Sequence, residues 1–131
     1  SRWADRKPLE VETEIQVTIG QNTFICKLDA VFDATEDSDP AGFEIEIVDW
    51  KTGVAPKTED EIAERALQLA LYRMAYSKRT GIPEEKISVC LYYVSENKEI
   101  RPKRVLSSTE LVQLWNETLA RSVVASSVTA G

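Results

Sequence analysis

The sequence predicts an α/β fold in which helices flank a mixed central sheet. Three β-patterned runs come first, a long capped helix follows, and two further strands and a last helix complete the chain. A helix that joins two strands of one sheet makes a right-handed crossover and leaves the strands parallel, whereas short turns leave them antiparallel. One parallel pair is therefore expected among antiparallel neighbours.

The first half of the chain supplies three predicted strands. Residues 9–19 alternate apolar with polar side chains, residues 20–22 predict a tight turn, and residues 23–33 form the second strand. Residues 43–50 are rich in β-branched side chains and predict a central strand. In the first strand the side chains expected on one buried face are Val11, Thr13, Ile15, Val17 and Ile19.

A long helix is predicted after the third strand. Thr58 and Glu61 have the spacing of a capping box, and acidic residues fill the first turn, where the helix dipole favours them. Gly81, with Pro83 beyond it, predicts the end of the helix near Thr80.

The remaining elements are a fourth strand, an edge strand and a last helix. Residues 86–94 predict the fourth strand, and residues 99–106 predict a hairpin strand at the sheet edge, since Pro102 would disturb a central one. The basic cluster of this edge could touch DNA or protect an exposed edge by its charge. Residues 107–110 predict the start of the last helix. The residues of the basic cluster are Arg101, Lys103 and Arg104.

Composition indicates one globular domain over residues 1–131. The chain is 43% hydrophobic and 29% charged, its apolar runs are too short to span a bilayer, and its start lacks the hydrophobic region of a signal peptide. We therefore expect a cytoplasmic protein without a membrane segment. Cys26 and Cys90 both fall in predicted strands, which favours reduced core thiols over a disulfide.

The charge of the chain restricts the functions open to it. A net charge of −6 argues against a free-standing, non-specific DNA-binding protein, because such proteins neutralise phosphates with a basic surface. Several of the acidic residues fall in one predicted loop, residues 36–39.

The candidate site lies at the end of the third strand, in the segment VDWKTG at residues 48–53. Asp49 is a hard oxygen ligand of the kind that Mg²⁺ or Mn²⁺ prefers, and the carbonyl of Trp50 could supply a second oxygen. Lys51 could orient or deprotonate an attacking water. A plain salt bridge between Asp49 and Lys51 is the alternative.

Two further segments carry polar groups suited to the same site. KLDAVF at residues 27–32 places Asp29 in the middle of the second strand, and QLALY places Gln68 and Tyr72 one turn apart on the long helix. The wider helix stripe is aromatic and basic, which indicates either a half-buried face or a surface that meets a nucleic-acid backbone. Its members are Arg65, Gln68, Tyr72, Tyr76 and Arg79.

In this order and spacing the three segments resemble the PD-(D/E)XK nuclease superfamily, in the RecB-like branch found at the C-terminus of UvrD-type helicases. The branch carries G-x-(I/L)-D, then (V/I)-D-x-K-T-G, then Q-x3-Y, and the resemblance covers residues 11–76. One departure is Cys26, which stands where the family usually has glycine.

The resemblance implies site roles residue by residue. Asp29 and Asp49, with the carbonyl of Trp50, would bind Mg²⁺ or Mn²⁺, and Lys51 would be the catalytic lysine. The helix residues near the DNA would be Gln68, Tyr72 and Arg65.

The resemblance also implies a restriction-endonuclease-like core, αβββαβ, of which this chain would lack the first helix. The chain would then be the C-terminal nuclease fragment of a larger helicase–nuclease in DNA repair, with DNA and helicase domains as partners and ATP used only by the helicase part. Two cysteines cannot build the iron–sulfur cluster that some relatives carry. We expect weak or no cutting by the isolated chain.

Two alternatives belong to other functional classes. The chain could be a nuclease-like module that no longer cuts and guides DNA within a helicase. It could also be an unrelated α/β interaction domain, with Trp3 and Trp115 as docking residues.

Overall fold

The structure, a computed structural model, describes residues 3, 5–35 and 42–118. The acidic loop predicted at residues 36–39 lies outside these residues. The elements are β1 (Glu10–Ile19), β2 (Asn22–Asp33), β3 (Ile45–Lys51), α1 (Glu59–Thr80), β4 (Ile87–Tyr93), β5 (Lys98–Ile100) and α2, which covers residues 108–118.

The five strands form one mixed sheet in the order β1-β2-β3-β4-β5. The β1–β2, β2–β3 and β4–β5 pairs are antiparallel, and α1 connects the parallel pair β3–β4. The predicted α/β fold with a mixed sheet is confirmed, and the architecture is consistent with a restriction-endonuclease-like core.

The ends of α1 lie where the sequence predicts them. The Thr58 hydroxyl accepts a hydrogen bond from the Glu61 amide at 3.2 Å. Gly81 adopts a left-handed conformation, φ 81°, in which its amide donates to the Ser77 carbonyl. Only glycine enters this conformation without a steric penalty, so Gly81 ends the helix.

The main core lies between the sheet and α1. Leu28, Ile47 and Leu91 of the sheet pack with Leu69 and Met74 of α1, and all five side chains are fully buried. Burial of each such side chain stabilises the fold by about 1.5–3 kcal/mol. This core holds α1 against the strands that carry the candidate site.

The other face of the sheet carries an aromatic cluster around Trp3. The Trp3 ring is 4% exposed and packs against Phe32, Trp50 and Tyr92. Its indole Nε1 donates to Glu46 Oε1 at 2.7 Å. Trp3 is therefore a core anchor, and the alternative of Trp3 as an exposed docking residue is wrong.

The alternation of side chains shifts by one residue in both β1 and β2. In β2, Leu28 and Val31 both lie in the core under α1, whereas Ala30 belongs to the aromatic cluster, so the shift occurs at Asp29. Glu12 stands opposite Asp29 in the register and has a positive φ of 48°. The prediction that Val11 lies on the buried face is wrong, since Val11 is 59% exposed.

Glycine at position 12 should cost no stability, unlike glycine elsewhere in β1. The positive φ of Glu12 disfavours any side chain with a Cβ by about 1 kcal/mol, which offsets the entropy cost of glycine in a strand. We expect Glu12→Gly to match or exceed the wild-type free energy of unfolding in urea. The control Glu14→Gly, also exposed but without positive φ, should lose about 1 kcal/mol. Equal losses in both variants would contradict the assigned conformation of Glu12.

The edge strand is much shorter than predicted. Residues 99–106 were expected in a strand, but β5 ends at Ile100, whose partner is Leu91. Continuing this register would place Pro102 opposite Val89, and proline has no N–H to donate to the ladder.

A single 3₁₀ turn, Glu84–Lys86, precedes β4 and was not predicted.

The predicted start of α2 is confirmed by its capping box. The Ser107 hydroxyl accepts from the Glu110 amide at 3.2 Å, and Glu110 Oε1 accepts from the Ser107 amide at 3.2 Å. Trp115 packs edge-on against Phe24 at the margin of the main core.

Cys26 and Cys90 are buried and form no disulfide. Among the described residues, no helix is long and apolar enough to cross a membrane.

Candidate active site

The candidate site begins where the ladder between β2 and β3 ends. The last pair is Ala30–Val48, and the next residues in the same register are Asp29 and Asp49. Asp29 Oδ2 accepts a hydrogen bond from the Trp50 amide at 2.9 Å. The Asp29 carboxylate thus accepts the hydrogen bond that a backbone carbonyl would accept if the ladder continued. This bond holds Asp29 beside Asp49.

Asp49 and Lys51 continue the buried face of β3. Asp49 is 5% exposed, and Oδ2 of its carboxylate lies 3.2 Å from Lys51 Nζ. This contact is an ion pair without hydrogen-bond geometry, so Asp49 Oδ2 is a buried oxygen that receives no hydrogen bond among the described residues. A buried charged oxygen in this condition is costly unless another group compensates it.

The surroundings of Asp49 favour its protonated form. Burial, followed by the hydrogen bond with Asp29, raises the pKa of Asp49 to about 6, although the Lys51 ammonium works in the opposite direction. Two carboxylates and one ammonium leave the site with an excess of negative charge. A cation that neutralised this charge would stabilise the ionised form of Asp49.

The side chain of Trp50 anchors the end of β3 from the other face of the sheet. Its ring packs edge-on against Trp3 and Tyr92, with centroids 5.7 and 5.5 Å apart. Trp50, the residue between Asp49 and Lys51, is therefore fixed, and the two charged side chains extend from a strand end that is held in place. The Trp50 carbonyl as a metal ligand stays a prediction.

The long helix brings Tyr72 to the same site. Tyr72 is half-buried, and burial, then the charge of Asp49, raise the pKa of its hydroxyl to about 12, while a hydrogen bond with Gln68 acts in the opposite direction. Tyr72 is therefore neutral at physiological pH and can donate a hydrogen bond. Gln68 is half-buried beside it, whereas Arg65 is exposed.

The rest of the predicted helix stripe makes contacts with β1. Tyr76 is buried and hydrogen-bonds Glu10, and burial is the first cause that raises the pKa of its hydroxyl. Arg79 Nη2 lies 3.1 Å from Glu10 Oε1. These two residues thus join α1 to the sheet, and their contact with nucleic acid stays a prediction.

One contributor to the site was missed in the sequence. Glu96, in the turn between β4 and β5, accepts a hydrogen bond from the buried Ala55 amide at 2.8 Å. In the same region the Val94 amide donates to the Lys51 carbonyl at 2.9 Å. The turn therefore fixes the chain on both sides of the Gly53 bend, and no local pattern in the sequence signals it.

The residues present suit a hard divalent cation, with two protein carboxylates as ligands. Asp29 and Asp49 are adjacent, and the buried Oδ2 of Asp49 lies 3.2 Å from the Lys51 ammonium but receives no well-aligned hydrogen bond among the described residues. Oxygen ligands are those that Mg²⁺ and Mn²⁺ prefer, and Mg²⁺ commonly binds through one or two carboxylates while keeping several waters. Within the described part of the chain, no cluster of three or more Asp, Glu, His or Cys side chains could surround a metal.

The arrangement can place a cation, a fixed ammonium and a neutral hydroxyl around one point. The structure brings together Asp29, Asp49, Lys51 and Tyr72, which the sequence had marked in three separate segments, and it leaves Arg65 on the surface. A carboxylate pair beside a lysine at a strand end suits metal-assisted hydrolysis of a phosphate ester.

Comparison with known proteins agrees with this geometry. No curated protein matches the chain. The family model of the PD-(D/E)XK nuclease superfamily matches residues 1–129, nearly the whole chain. With the mixed five-stranded sheet and the carboxylate–lysine arrangement at the end of β3, this match identifies the chain as a member of the PD-(D/E)XK nuclease superfamily.

Proposed function

We propose that the chain hydrolyses DNA phosphodiester bonds with the help of Mg²⁺ or Mn²⁺, as the nuclease module of a DNA helicase or repair enzyme. The observation that carries this proposal is the buried Asp49 oxygen, which lies beside Asp29 and 3.2 Å from the Lys51 ammonium and receives no hydrogen bond from the described part of the chain. Membership of the nuclease superfamily supports the reaction class.

Each residue has a defined task in the proposed reaction. A divalent ion bound by Asp29 and Asp49 would polarise the scissile phosphate and lower the pKa of a bound water. The Trp50 amide keeps the Asp29 carboxylate in place for this role. Lys51 would orient the attacking water or stabilise the negative charge that develops on the phosphate.

Tyr72 and Gln68 would line the approach to the phosphate. Because its pKa is raised to about 12, Tyr72 can donate a hydrogen bond to a phosphate oxygen and does not act as a base. Arg65 is exposed on the same helix and could contact the DNA backbone further away.

We assign the chain to the RecB-like branch on its motifs. VDWKTG followed by QLALY supports this branch, in which the nuclease domain works with a helicase of the same polypeptide. DNA and those helicase domains are the proposed partners, and ATP would be consumed by the helicase alone.

A cleavage assay with a matched pair of variants tests the proposal. Labelled single- and double-stranded DNA is incubated with Mn²⁺ and wild-type protein, Asp29→Asn or the control Asp33→Asn, which changes an exposed aspartate of the same strand. We expect slow cleavage by wild type and Asp33→Asn, and none by Asp29→Asn or with a chelator present. Cleavage that survives in Asp29→Asn would refute the proposed site.

A second candidate function is a nuclease-like module that binds DNA or helicase domains without cutting. Its support is the net charge of −6, together with the absence of a third acidic or histidine ligand among the described residues. DNA binding by the wild-type chain without cleavage at any Mn²⁺ concentration would favour this candidate.

A further inference from the structure

A polar cavity of about 290 Å³ lies at the opposite end of β4 from the candidate active site. Its walls include Ser88 near the start of β4, Arg73 of α1, and Arg101 and Lys103 of the segment after β5. Asp49 pairs with Leu91, further along β4, so the cavity shares no lining residue with the active site.

Pro102 explains why the cavity exists. In the register of β4 and β5 it would stand opposite Val89, where it cannot extend the ladder. The chain therefore leaves the sheet after Ile100, and among the described residues no strand lies beside the first residues of β4 on this edge. The cavity occupies the space between that edge and the departing segment.

The cavity is cationic in an acidic protein. Among the described residues, three basic side chains line it and no carboxylate does, whereas the chain as a whole has a net charge of −6. Arg101 is ion-paired with Glu46 and Glu99, at 2.6 and 3.3 Å. Within the described part of the chain, Arg73 and Lys103 form no ion pair, so their charges are not neutralised.

Arg73 and Arg101 are held in place before any ligand arrives. Arg73 Nη2 donates to the carbonyls of Val105 and Leu106, at 3.0 and 2.9 Å, while its Nε is buried without an acceptor among the described residues. Arg101 Nη1 donates to the Ser88 hydroxyl at 2.7 Å. Fixed guanidinium groups bind phosphate at a lower entropic cost than mobile ones.

We propose that this cavity binds a phosphate group, carried either by a nucleic-acid backbone or by free inorganic phosphate. Arg73 and Lys103 would supply the charge, whereas the Ser88 hydroxyl is already hydrogen-bonded to Arg101 and to the Glu46 carboxylate. The site goes beyond the proposed nuclease function, because it uses none of the residues at the end of β3.

An NMR titration with inorganic phosphate tests the site without any cleavage assay. We expect saturable shifts of the backbone amides of Ser88, Val89 and Lys103. Lys103→Gln, a change at an exposed position, should weaken binding about 3- to 5-fold, the scale of one partly screened charge. The control Lys78→Gln, an exposed lysine in the last turn of α1, should bind like wild type.

A second titration, with a short single-stranded oligonucleotide and a chelator, separates the two sources of phosphate. If the oligonucleotide shifts the same amides and phosphate competes with it, the ligand is a nucleic-acid backbone. If only inorganic phosphate shifts them, the ligand is free phosphate. Shifts that do not saturate, or equal affinity in Lys103→Gln and wild type, would overturn the proposal.

Discussion

Replacing Lys51 with alanine should reduce DNA cleavage by at least about 100-fold while leaving Mn²⁺ binding intact or tighter. Lys51 Nζ lies 3.2 Å from Asp49 Oδ2, so the substitution removes a positive charge beside the proposed cation. Loss of that repulsion favours metal binding, and loss of the ammonium removes stabilisation of the charge that develops on the phosphate. Cleavage should therefore fall while Mn²⁺ affinity is unchanged or rises, so the variant separates the catalytic role of Lys51 from metal binding.

Cleavage rates and Mn²⁺ affinity should be measured on the same preparations. Lys57→Ala is the control, since Lys57 is exposed and follows the same strand. If Lys51 serves only as the structural partner of Asp49, Lys51→Ala should instead lower the free energy of unfolding and leave any cleavage unchanged. That result would remove Lys51 from the catalytic role.

Asp49→Asn should stabilise the metal-free protein at pH 8 by about 1–3 kcal/mol. The folded-state pKa of Asp49 is about 6, against an ordinary value of 3.8, mainly because the carboxylate is buried. At pH 8 the folded protein must keep this group ionised, which opposes folding. Asparagine retains the shape of the side chain without its charge.

The same pKa shift fixes the pH dependence of wild-type stability. Because the folded pKa is raised, the contribution of Asp49 is fully present below pH 3.8 and is lost as pH rises through about 6. The difference in free energy of unfolding between Asp49→Asn and wild type should therefore grow from pH 5 to pH 8. Urea denaturation with a chelator measures it, with exposed Glu14→Gln as the control. A variant less stable than wild type at pH 8 would contradict a net cost of burying the ionised Asp49 carboxylate.

The sequence predicts most of the fold because its signals are local. The cap at Thr58 and the glycine at Gly81 determine the bounds of α1 through contacts within four residues of each other. The shift of alternation at Asp29 is different, since it depends on how β1 and β2 pair, and it misled the prediction for Val11. The short β5 follows from Pro102. This proline correctly predicts an edge strand, but the strand ends at Ile100 instead of continuing past the proline.

The sequence predicts the residues of the candidate site but not the hydrogen bonds that hold them in place. Asp29, Asp49 and Lys51 stand out because charged side chains interrupt β-patterned runs. The hydrogen bond between Asp29 and Trp50 joins residues 21 positions apart, and that between Ala55 and Glu96 joins residues 41 apart. Such contacts depend on the register of the whole sheet, so no local pattern indicates them.

Calorimetry of Mn²⁺ binding to wild type and to Asp49→Ala, in moderate salt at pH 8, tests the central claim most directly. The Asp49 carboxylate is then ionised before the metal is added, because the pH lies well above its pKa of about 6. The proposed site predicts saturable binding to wild type that Asp49→Ala abolishes. Equal binding by the two proteins, or no binding by wild type, would contradict a metal site at the end of β3.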